Sequence, residues 1–429
     1  MRNKIASLAL LFILSFTLTA CTIQDLPVIG KFFGGSSGSI SGSITVWGLW
    51  ENPDVMASII AKYKELHPNV TINYEDRSVL KTLEYRDRIF ARAGEDVGAD
   101  VLLVHNSWLY KLKDNFSPMP AKLMDAKTYS TTFYPVATQS AVFDSKIYGV
   151  PFYYDGLVLL YNKDHFLEIG QDDPPTSWAE FESLAKNLRY PKDGSALVRA
   201  GAAMGTADNN EHFSDILGLL FAQTDVAIPN DLETKAAADA LDYYVSFVKR
   251  DMAWDNLMPE ANTAFIQGKV SMIIVPTWRI LDILKANPNL NFGVAPVPQA
   301  LPEKPATWAT FWMWSVPSSS KNQALAWDFV NFMTSEKQEL SLFSDASKVR
   351  PFGVPFARVS LAQQLANNLY LSPAVATAPY AKSAELAARS GNNKVTDALR
   401  DAVNAVLEDR VDALTALKNF RSGTPQPTD

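Results

Sequence analysis

Three observations predict an α/β fold with a mainly helical C-terminal part. β-rich runs alternate with segments of helical periodicity along most of the chain. The run DVLLV (100–104) is almost continuously apolar, which is typical of a strand buried in a parallel sheet. The C-terminal part contains amphipathic helical patterns, over 323–333 and 395–407.

The alternation begins with SITVW (43–47), a β-rich run. Asn52-Pro53 then supplies an N-cap with proline in the first turn, and apolar residues recur at helical spacing as far as Leu66. A second strand is predicted over 70–74, a second helix over 80–93 and the buried third strand over 100–104. The order strand, helix, strand, helix, strand indicates parallel pairing.

The same pattern resumes after Tyr148. A strand is predicted over 156–161, and Ser177 with Glu180 forms a capping box that opens a helix to residue 189. Helices follow over 211–222, 232–249 and 261–267, the last ending before Gly268 as its C-cap. A strand over 270–275 and a helix over 278–285 complete the alternation.

The composition excludes several classes of function. Lys and Arg number 39 against 46 Asp and Glu, so the formal net charge is -7, and no basic run could neutralise a phosphate backbone. One cysteine excludes an internal disulfide and thiolate metal clusters, and the four histidines lack metal-ligand spacing. We therefore expect that the protein binds no nucleic acid, no metal and no cofactor. The 10 Trp require another explanation.

The N-terminus reads as a targeting signal. Arg2 and Lys4 precede an uncharged, mostly apolar stretch over 5–20, which is shorter than the roughly 20 residues that span a bilayer. It ends in Leu-Thr-Ala-Cys, which resembles the bacterial lipobox and predicts a signal peptide over 1–20 and acylation of Cys21. The alternative is an ordinary signal peptide with an incidental cysteine.

A flexible tether is predicted behind Cys21. The tract GGSSGSISGS (34–43) cannot bury apolar surface, so residues 21–42 are expected to be the lipidated cysteine and a flexible Gly/Ser tether. The predicted location is the extracytoplasmic face of the cell membrane, with the lipid as the anchor.

Three groups of segments carry a family resemblance. They are ITVWGLWENPDVMASIIAKYKELHPNVTINY with GADVLLVHNSWLYKL, YGVPFYYDGLVLLYNKD with PPTSWAEFESLAKNL, and ANTAFIQGKVSMIIVPTWRI with NFGVAPVPQ and SSSKNQALAWDFVNFMTS. In this order the chain resembles the bacterial extracellular solute-binding proteins of ABC importers, in the carbohydrate-binding family that includes maltodextrin-binding proteins. The stretch ATWATFWMWSVP (306–317) departs from the family in having more Trp.

The resemblance implies a two-lobed, periplasmic-binding-protein-like fold of type II with a hinge between the lobes. The expected N-terminal lobe comprises 43–154 plus 297–331, and the C-terminal lobe comprises 155–296 plus 332–429. It also implies a ligand enclosed between the lobes, an ABC permease as partner, and a monomer.

A sugar site needs flat aromatic platforms for C–H faces and planar polar side chains for hydroxyls. In open α/β sheets such a site lies beyond the carboxyl ends of strands. Residues that follow predicted strands are therefore the candidates: Trp47, Trp50, Glu51, Asn106, Trp108, Tyr153, Tyr154 and Asp155. By resemblance, the loop of Trp50 and Glu51 contributes ligand contacts, and Asp155 stands where maltodextrin-binding members place an acidic ligand residue.

The second half of the chain adds five candidates. Asn209 precedes a helix, so it could be an N-cap or a sugar contact. Trp278 matches an aromatic residue of the family, whereas Arg279 is interpreted as an exposed helix residue. Alternation along one strand puts Trp308, Trp312 and Trp314 on one face, and Trp308 and Trp312 are favoured for the cleft. Arg350 stands where many members carry a basic residue.

Three functions fit these residues. The first is a lipid-anchored sugar receptor that closes around its ligand for an ABC importer. The second keeps the receptor and changes the cargo to a polyamine, a peptide or another small solute. The third is a surface glycoside hydrolase with carboxylates such as Glu51 and Asp155, which needs two carboxyl groups at a defined separation. The aromatic platforms favour sugar, and no catalytic motif supports an enzyme.

Overall fold

A computed structural model describes residues 40–92, 95, 98–386 and 393–426. The predicted signal peptide, Cys21 and most of the predicted tether lie outside these residues. Strand β1 begins at Gly42, the last residue assigned to the tether. Among the described residues, no helix combines the length and apolar character needed to cross a bilayer.

The described strands are β1 (Gly42–Gly48), β2 (Val70–Asp76), β3 (Val101–His105), β4 (Val142–Phe143), β5 (Lys146–Ile147), β6 (Val150–Pro151), β7 (Leu157–Asn162), β8 (Ala200–Ala202), β9 (Val270–Pro276), β10 (Phe292–Ala295), β11 (Thr307–Trp308), β12 (Trp312–Ser315) and β13 (Ala381–Lys382). The described helices are α1 (Pro53–Leu66), α2 (Thr82–Ala91), α3 (Leu109–Leu112), α4 (Ala126–Thr132), α5 (Pro135–Ala141), α6 (Lys163–Glu168), α7 (Trp178–Leu188), α8 (Phe213–Gln223), α9 (Lys235–Lys249), α10 (Ala261–Ile266), α11 (Arg279–Ala286), α12 (Gln323–Met333), α13 (Glu336–Ala346), α14 (Ser372–Thr377), α15 (Asn393–Leu407) and α16 (Ala413–Ser422). Their alternation confirms the predicted α/β class.

Two larger sheets organise the described chain. The first has the order β2-β1-β3-β12-β6, in which β1 pairs in parallel with β2 and β3, and β12 runs antiparallel to β3 and β6. The second has the order β10-β7-β9-β8, in which β8 and β9 are parallel and the other pairs are antiparallel. Strands β3, β7 and β9 are buried along their whole length, as their apolar sequences predict.

Local signals placed several helix ends correctly. The Asn52 side chain accepts a hydrogen bond from the backbone of Asp54 at the start of α1. The capping box of Ser177 and Glu180 opens α7. Gly268, with φ +67°, follows α10, and its N–H donates to the carbonyl of Phe265.

The chain passes between the sheets along two adjacent segments. One runs from β6 to β7, and the other leads from β10 through β11 to β12. Gly156 forms an antiparallel bridge with Ala309, and the Thr310 N–H donates to the Asp155 carbonyl over 3.2 Å. The strand predicted through the Trp-rich stretch is therefore interrupted between Trp308 and Trp312, because the chain changes sheet there.

The C-terminal helices divide between the two sheets. Helix α13 packs on α1 beside the first sheet, where Ser58 Oγ donates to Asp345 over 3.2 Å. Helices α15 and α16 pack on α9, and their apolar residues join the core of the second sheet. The lobe boundaries given above, which assign all of 332–429 to one lobe, remain a prediction.

Candidate functional site

A cavity of about 390 Å³ lies where the crossing segment before β7 meets the loops after β1 and β9. Its volume falls within the range of about 300–1,000 Å³ that is typical of small-molecule sites. The lining residues come from both sheets and from a segment after α13: Leu49, Trp50, Glu51, Phe152, Tyr153, Asp155, Thr277, Trp278, Arg279, Leu281, Asp282, Trp312, Arg350, Phe352, Gly353, Val354 and Pro355.

Two tryptophans form the wall on the side of the first sheet. The rings of Trp50 and Trp312 meet edge to face with centroids 5.0 Å apart. Trp312 is buried against Trp108, whose ring centroid is 5.2 Å away, so its position is fixed by packing. Trp50 is 40% exposed and adopts φ +59°, a left-handed conformation that non-glycine residues rarely adopt. The tight turn after β1 thus presents an aromatic face at the cavity.

A carboxylate and a guanidinium form an ion pair on the same wall of the cavity. Glu51 is buried, and its Oε2 accepts from Arg350 Nη2 over 3.2 Å. Arg350 Nε also donates to the Phe352 carbonyl over 3.1 Å, which fixes the fork. Burial raises the pKa of Glu51, and the positive charge of Arg350 partly opposes this rise. The pair offers both acceptors and donors to a polar ligand.

Asp155 ties the crossing segment to the loop after β9. Its Oδ1 accepts from the Gly156 N–H at 2.8 Å, the Thr277 N–H at 2.9 Å and Thr277 Oγ1 at 2.8 Å, and its Oδ2 accepts from the Trp278 N–H at 3.4 Å. Burial raises its pKa to about 6, although these hydrogen bonds act in the opposite direction. The carboxylate therefore fixes the loop geometry as well as facing the cavity.

Trp278 lies on the opposite wall, on the side of the second sheet. The Arg279 guanidinium carbon lies 4.1 Å from the centroid of the Trp278 ring, a cation–π arrangement. Arg279 forms ion pairs with Asp282, at 3.1 Å, and with Glu211. It is therefore a largely buried residue of the cavity wall, which corrects the expectation of an exposed helix position.

Seven of the residues predicted from the sequence meet in this cavity. They come from distant parts of the chain: Trp50, Glu51, Tyr153, Asp155, Trp278, Trp312 and Arg350.

Three of the other predicted residues in the first half of the chain belong to the protein interior and do not line the cavity. Asn106 Nδ2 donates to Ser383 over 2.8 Å, and its Oδ1 accepts from the Phe311 N–H over 3.1 Å. Trp108 packs behind Trp312, and the buried Tyr154 packs on Tyr134 with centroids 4.9 Å apart.

Trp47 faces away from the cavity. Its ring lies beneath the guanidinium of Arg77, 4.2 Å from the ring centroid, and it lines a separate cavity with Arg88 and Arg92. Trp47 lies within β1, whereas Trp50 lies in the tight turn after the strand, where the Glu51 N–H donates to the Leu49 carbonyl over 2.8 Å.

Asn209 and Trp308 also lie outside the cavity. Asn209 Nδ2 donates to the carbonyls of Asp255 and Met258 over 2.9 and 3.0 Å, which anchors a loop. Trp308 is buried in the core of the second sheet, and its Nε1 donates to Asp215 over 3.0 Å. Trp308 and Trp312 do not share one strand face as predicted, because they lie in the separate strands β11 and β12.

Sequence reasoning missed part of the wall. Phe152 and Thr277 are direct neighbours of predicted residues and could have been included by proximity. The segment 352–355 follows Arg350, and its Pro and Gly residues mark a loop, but no periodic signal directs it to the cavity. Within the described residues, no group of three or more His, Cys, Asp or Glu could hold a metal ion.

Comparison with known proteins identifies the family. Residues 50–340 match the family described as bacterial extracellular solute-binding protein. The diacetylchitobiose binding protein of Streptomyces coelicolor is 24% identical over 71% of this chain and 72% of its own length. A maltooligosaccharide ABC transporter solute-binding lipoprotein of Streptococcus pneumoniae is 27% identical over 53% of this chain and 54% of its own length.

The fold agrees with this family. The cyclic alpha-maltosyl-1,6-maltose binding protein from Arthrobacter globiformis superposes with a TM-score of 0.72 at 19% identity, covering 90% of this chain and 98% of that protein. At this identity the likeness establishes the two-lobed fold alone, as the sequence predicted. Because the family match extends over more than half of the chain, the protein belongs to the bacterial extracellular solute-binding protein family, a family of binding proteins rather than enzymes.

Proposed function

We propose that this chain is the lipid-anchored, extracytoplasmic receptor of an ABC importer and that it binds a sugar or an oligosaccharide between its two lobes. The observation that carries the proposal is the pairing of aromatic walls across one cavity. Trp50 and Trp312 line one side and Trp278 lines the other, with Glu51 and Arg350 beside them.

This arrangement suits the chemistry of a sugar. Aromatic rings bury the apolar C–H faces of a pyranose, and the planar Glu51–Arg350 pair can accept from and donate to neighbouring hydroxyls. The relatives named for maltooligosaccharide and diacetylchitobiose support the same class of ligand. Stacked rings with a few hydrogen bonds would give micromolar affinity, about -8 kcal/mol.

Transport requires that the ligand select one conformation. A ligand that touches both walls gains contacts only when the lobes approach, so its binding energy favours the closed form. The segments that join at Gly156 and Ala309 are the proposed hinge, because both cross between the sheets there. The closed form would then dock on the permease.

The anchor belongs to the same proposal. Acylation of Cys21 would retain the receptor at the membrane, since buried acyl chains contribute about 0.8 kcal/mol per CH₂. The lobe boundaries 43–154 plus 297–331 and 155–296 plus 332–429, and the monomeric state, are part of this proposal.

The test is a titration of the full chain, purified in a detergent without a sugar head group, with mono- and oligosaccharides. Trp fluorescence, melting temperature and the mass of the recovered sugar are followed together. Saturable binding of an unchanged sugar with a higher melting temperature is expected. A response to spermidine or peptides alone would overturn the sugar assignment, and breakdown of the sugar would overturn the receptor role.

A further inference from the structure

A buried acid and a buried histidine lie directly behind the cavity wall that carries Trp278. Asp215, in α8, is 0% exposed, and His212, at the start of that helix, is 2% exposed. His212 Nδ1 lies 3.1 Å from Asp215 Oδ2, while the other carboxylate oxygen accepts from Trp308 Nε1 over 3.0 Å. The proposed sugar contacts do not use this pair.

The hydrogen-bond partners of His212 determine which ring nitrogen carries its proton. Arg279 Nε lies 3.2 Å from His212 Nε2, and a guanidinium can only donate hydrogen bonds. His212 Nε2 must therefore accept, which leaves the proton on Nδ1, where it donates to Asp215. The contacts thus describe a neutral imidazole in one defined tautomer.

These contacts extend to Trp278, on the wall of the cavity proposed to bind the ligand. The guanidinium of Arg279 lies over the Trp278 ring at 4.1 Å, and the His212 ring meets the same tryptophan edge to face at 5.9 Å. Arg279 therefore contacts one face of the indole, so its position fixes the plane of that ring. A change at His212 reaches Trp278 through two contacts.

We propose that Asp215 and His212 are positioning residues that hold Arg279 and the Trp278 ring in place, so that protonation of His212 weakens ligand binding. The inference rests on the proposed ligand cavity and adds to it a dependence on pH.

The charges around His212 give the direction of the effect. Asp215 faces it from α8, Glu211 is its neighbour in sequence, and Arg279 faces it from α11. Arg279 is itself paired with Glu211 and Asp282. A second proton on the imidazole would turn Nε2 into a donor opposite the Arg279 donor, and would place two cations side by side. The neighbouring carboxylates partly balance the added charge of His212, but the hydrogen bond that holds Arg279 is lost. Affinity therefore falls when the imidazole takes up a second proton as the pH decreases.

Three variants of the full chain separate positioning from general damage. In His212→Gln the amide oxygen can accept from Arg279 and the amino group can donate to Asp215, so both bonds persist without a titrating group. In Asp215→Asn the amide oxygen can still accept from Trp308, but its amino group faces the Nδ1–H of His212. The matched control is His165→Gln, because His165 is a buried histidine that bonds Ser271 at 3.0 Å and is not part of the cavity wall.

The experiment measures the affinity for the tightest sugar of the titration at pH 5, 6, 7 and 8. The wild type and the His165→Gln control are expected to lose affinity as the pH falls, by up to about tenfold, the equivalent of one hydrogen bond. His165 itself does not contribute in this range, since burial lowers its pKa to about 4. The His212→Gln variant is expected to bind more tightly than Asp215→Asn at pH 8 and to have a smaller pH dependence than the wild type, and Asp215→Asn is expected to bind about tenfold more weakly than the wild type at pH 8.

Two results would overturn the inference. One is a pH profile of His212→Gln that matches the wild type, and the other is a flat profile of the wild type. A second readout needs no ligand: the ¹⁵N spectrum of the His212 imidazole should show the proton on Nδ1 at pH 8, and a proton on Nε2 contradicts the contacts. If the wild type binds no sugar, the proposed function fails while this spectrum still tests the positioning.

Discussion

Asp155 is expected to make the protein less stable as the pH rises. The residue is 2% exposed, and burial raises the pKa of its carboxyl group from the ordinary 3.8 to about 6. The native chain therefore retains a proton that the unfolded chain releases between these two values. Because the native state binds more protons in this window, the free energy of unfolding falls as pH rises from about 4 to about 6.

The size of this effect follows from the difference in pKa. At about 1.4 kcal/mol per pH unit, the interval from 3.8 to about 6 corresponds to about 3 kcal/mol. The raised pKa already includes the bonds from Gly156, Thr277 and Trp278 to the carboxylate. Asp155→Asn keeps an oxygen acceptor for the Thr277 and Gly156 donors and cannot ionise. Part of this change lies below pH 4, so the variant should gain about 2.5 kcal/mol of stability relative to wild type between pH 4 and pH 8.

Urea unfolding of both proteins at pH 4, 5, 6, 7 and 8 measures this difference. Asp125→Asn is the control, since the bonds from Thr128 lower the pKa of Asp125 at the start of α4 below the ordinary 3.8. Asp125 is therefore ionised in both the native and the unfolded chain above about pH 5, and the stability of this variant relative to wild type should stay constant from pH 5 to pH 8. A difference between Asp155→Asn and wild type that stays constant from pH 4 to pH 8 would refute the reasoning, because a carboxyl group with an ordinary pKa would then occupy this position.

Three further predictions concern the cavity wall and the anchor. Trp278→Ala should weaken sugar binding by 10- to 100-fold, about 1.4 to 2.8 kcal/mol, measured by titration calorimetry, while Trp47→Phe should leave the affinity unchanged because Trp47 faces another cavity. Arg350→Gln should lower the free energy of unfolding by about 1–3 kcal/mol at pH 8, because the buried Glu51 loses its partner. The loss should be smaller at pH 4, where Glu51 is protonated. An equal loss at both pH values would contradict the ion pair. Cys21→Ser should move the protein from the membrane fraction to the soluble fraction after cell fractionation, and retention in the membrane would exclude Cys21 as the anchor.

The fold was predictable from sequence where its signals are local. The N-cap at Asn52, the capping box of Ser177 and Glu180 and the apolar run of β3 each involve a few neighbouring residues, and the structure confirms them. The rule that ligand sites lie beyond strand ends also directed attention to Trp50 and Trp278, which do meet in one cavity.

The remaining site residues depend on contacts that spacing does not encode. Trp308 and Trp312 read as one strand, but the chain changes sheet between them and buries Trp308 against α8. Arg279 reads as an exposed helix residue, yet Glu211 and His212, which are distant in sequence, hold it against Trp278. Such pairings are determined by tertiary packing, and a single sequence carries no direct signal for them.

The most direct test of the central claim is a crystal structure of the chain with its tightest sugar bound. The account predicts a sugar ring between Trp278 and the Trp50–Trp312 wall, with hydroxyls within hydrogen-bonding distance of Glu51 or Arg350. A sugar found elsewhere, with this cavity unchanged from the sugar-free protein, would contradict it.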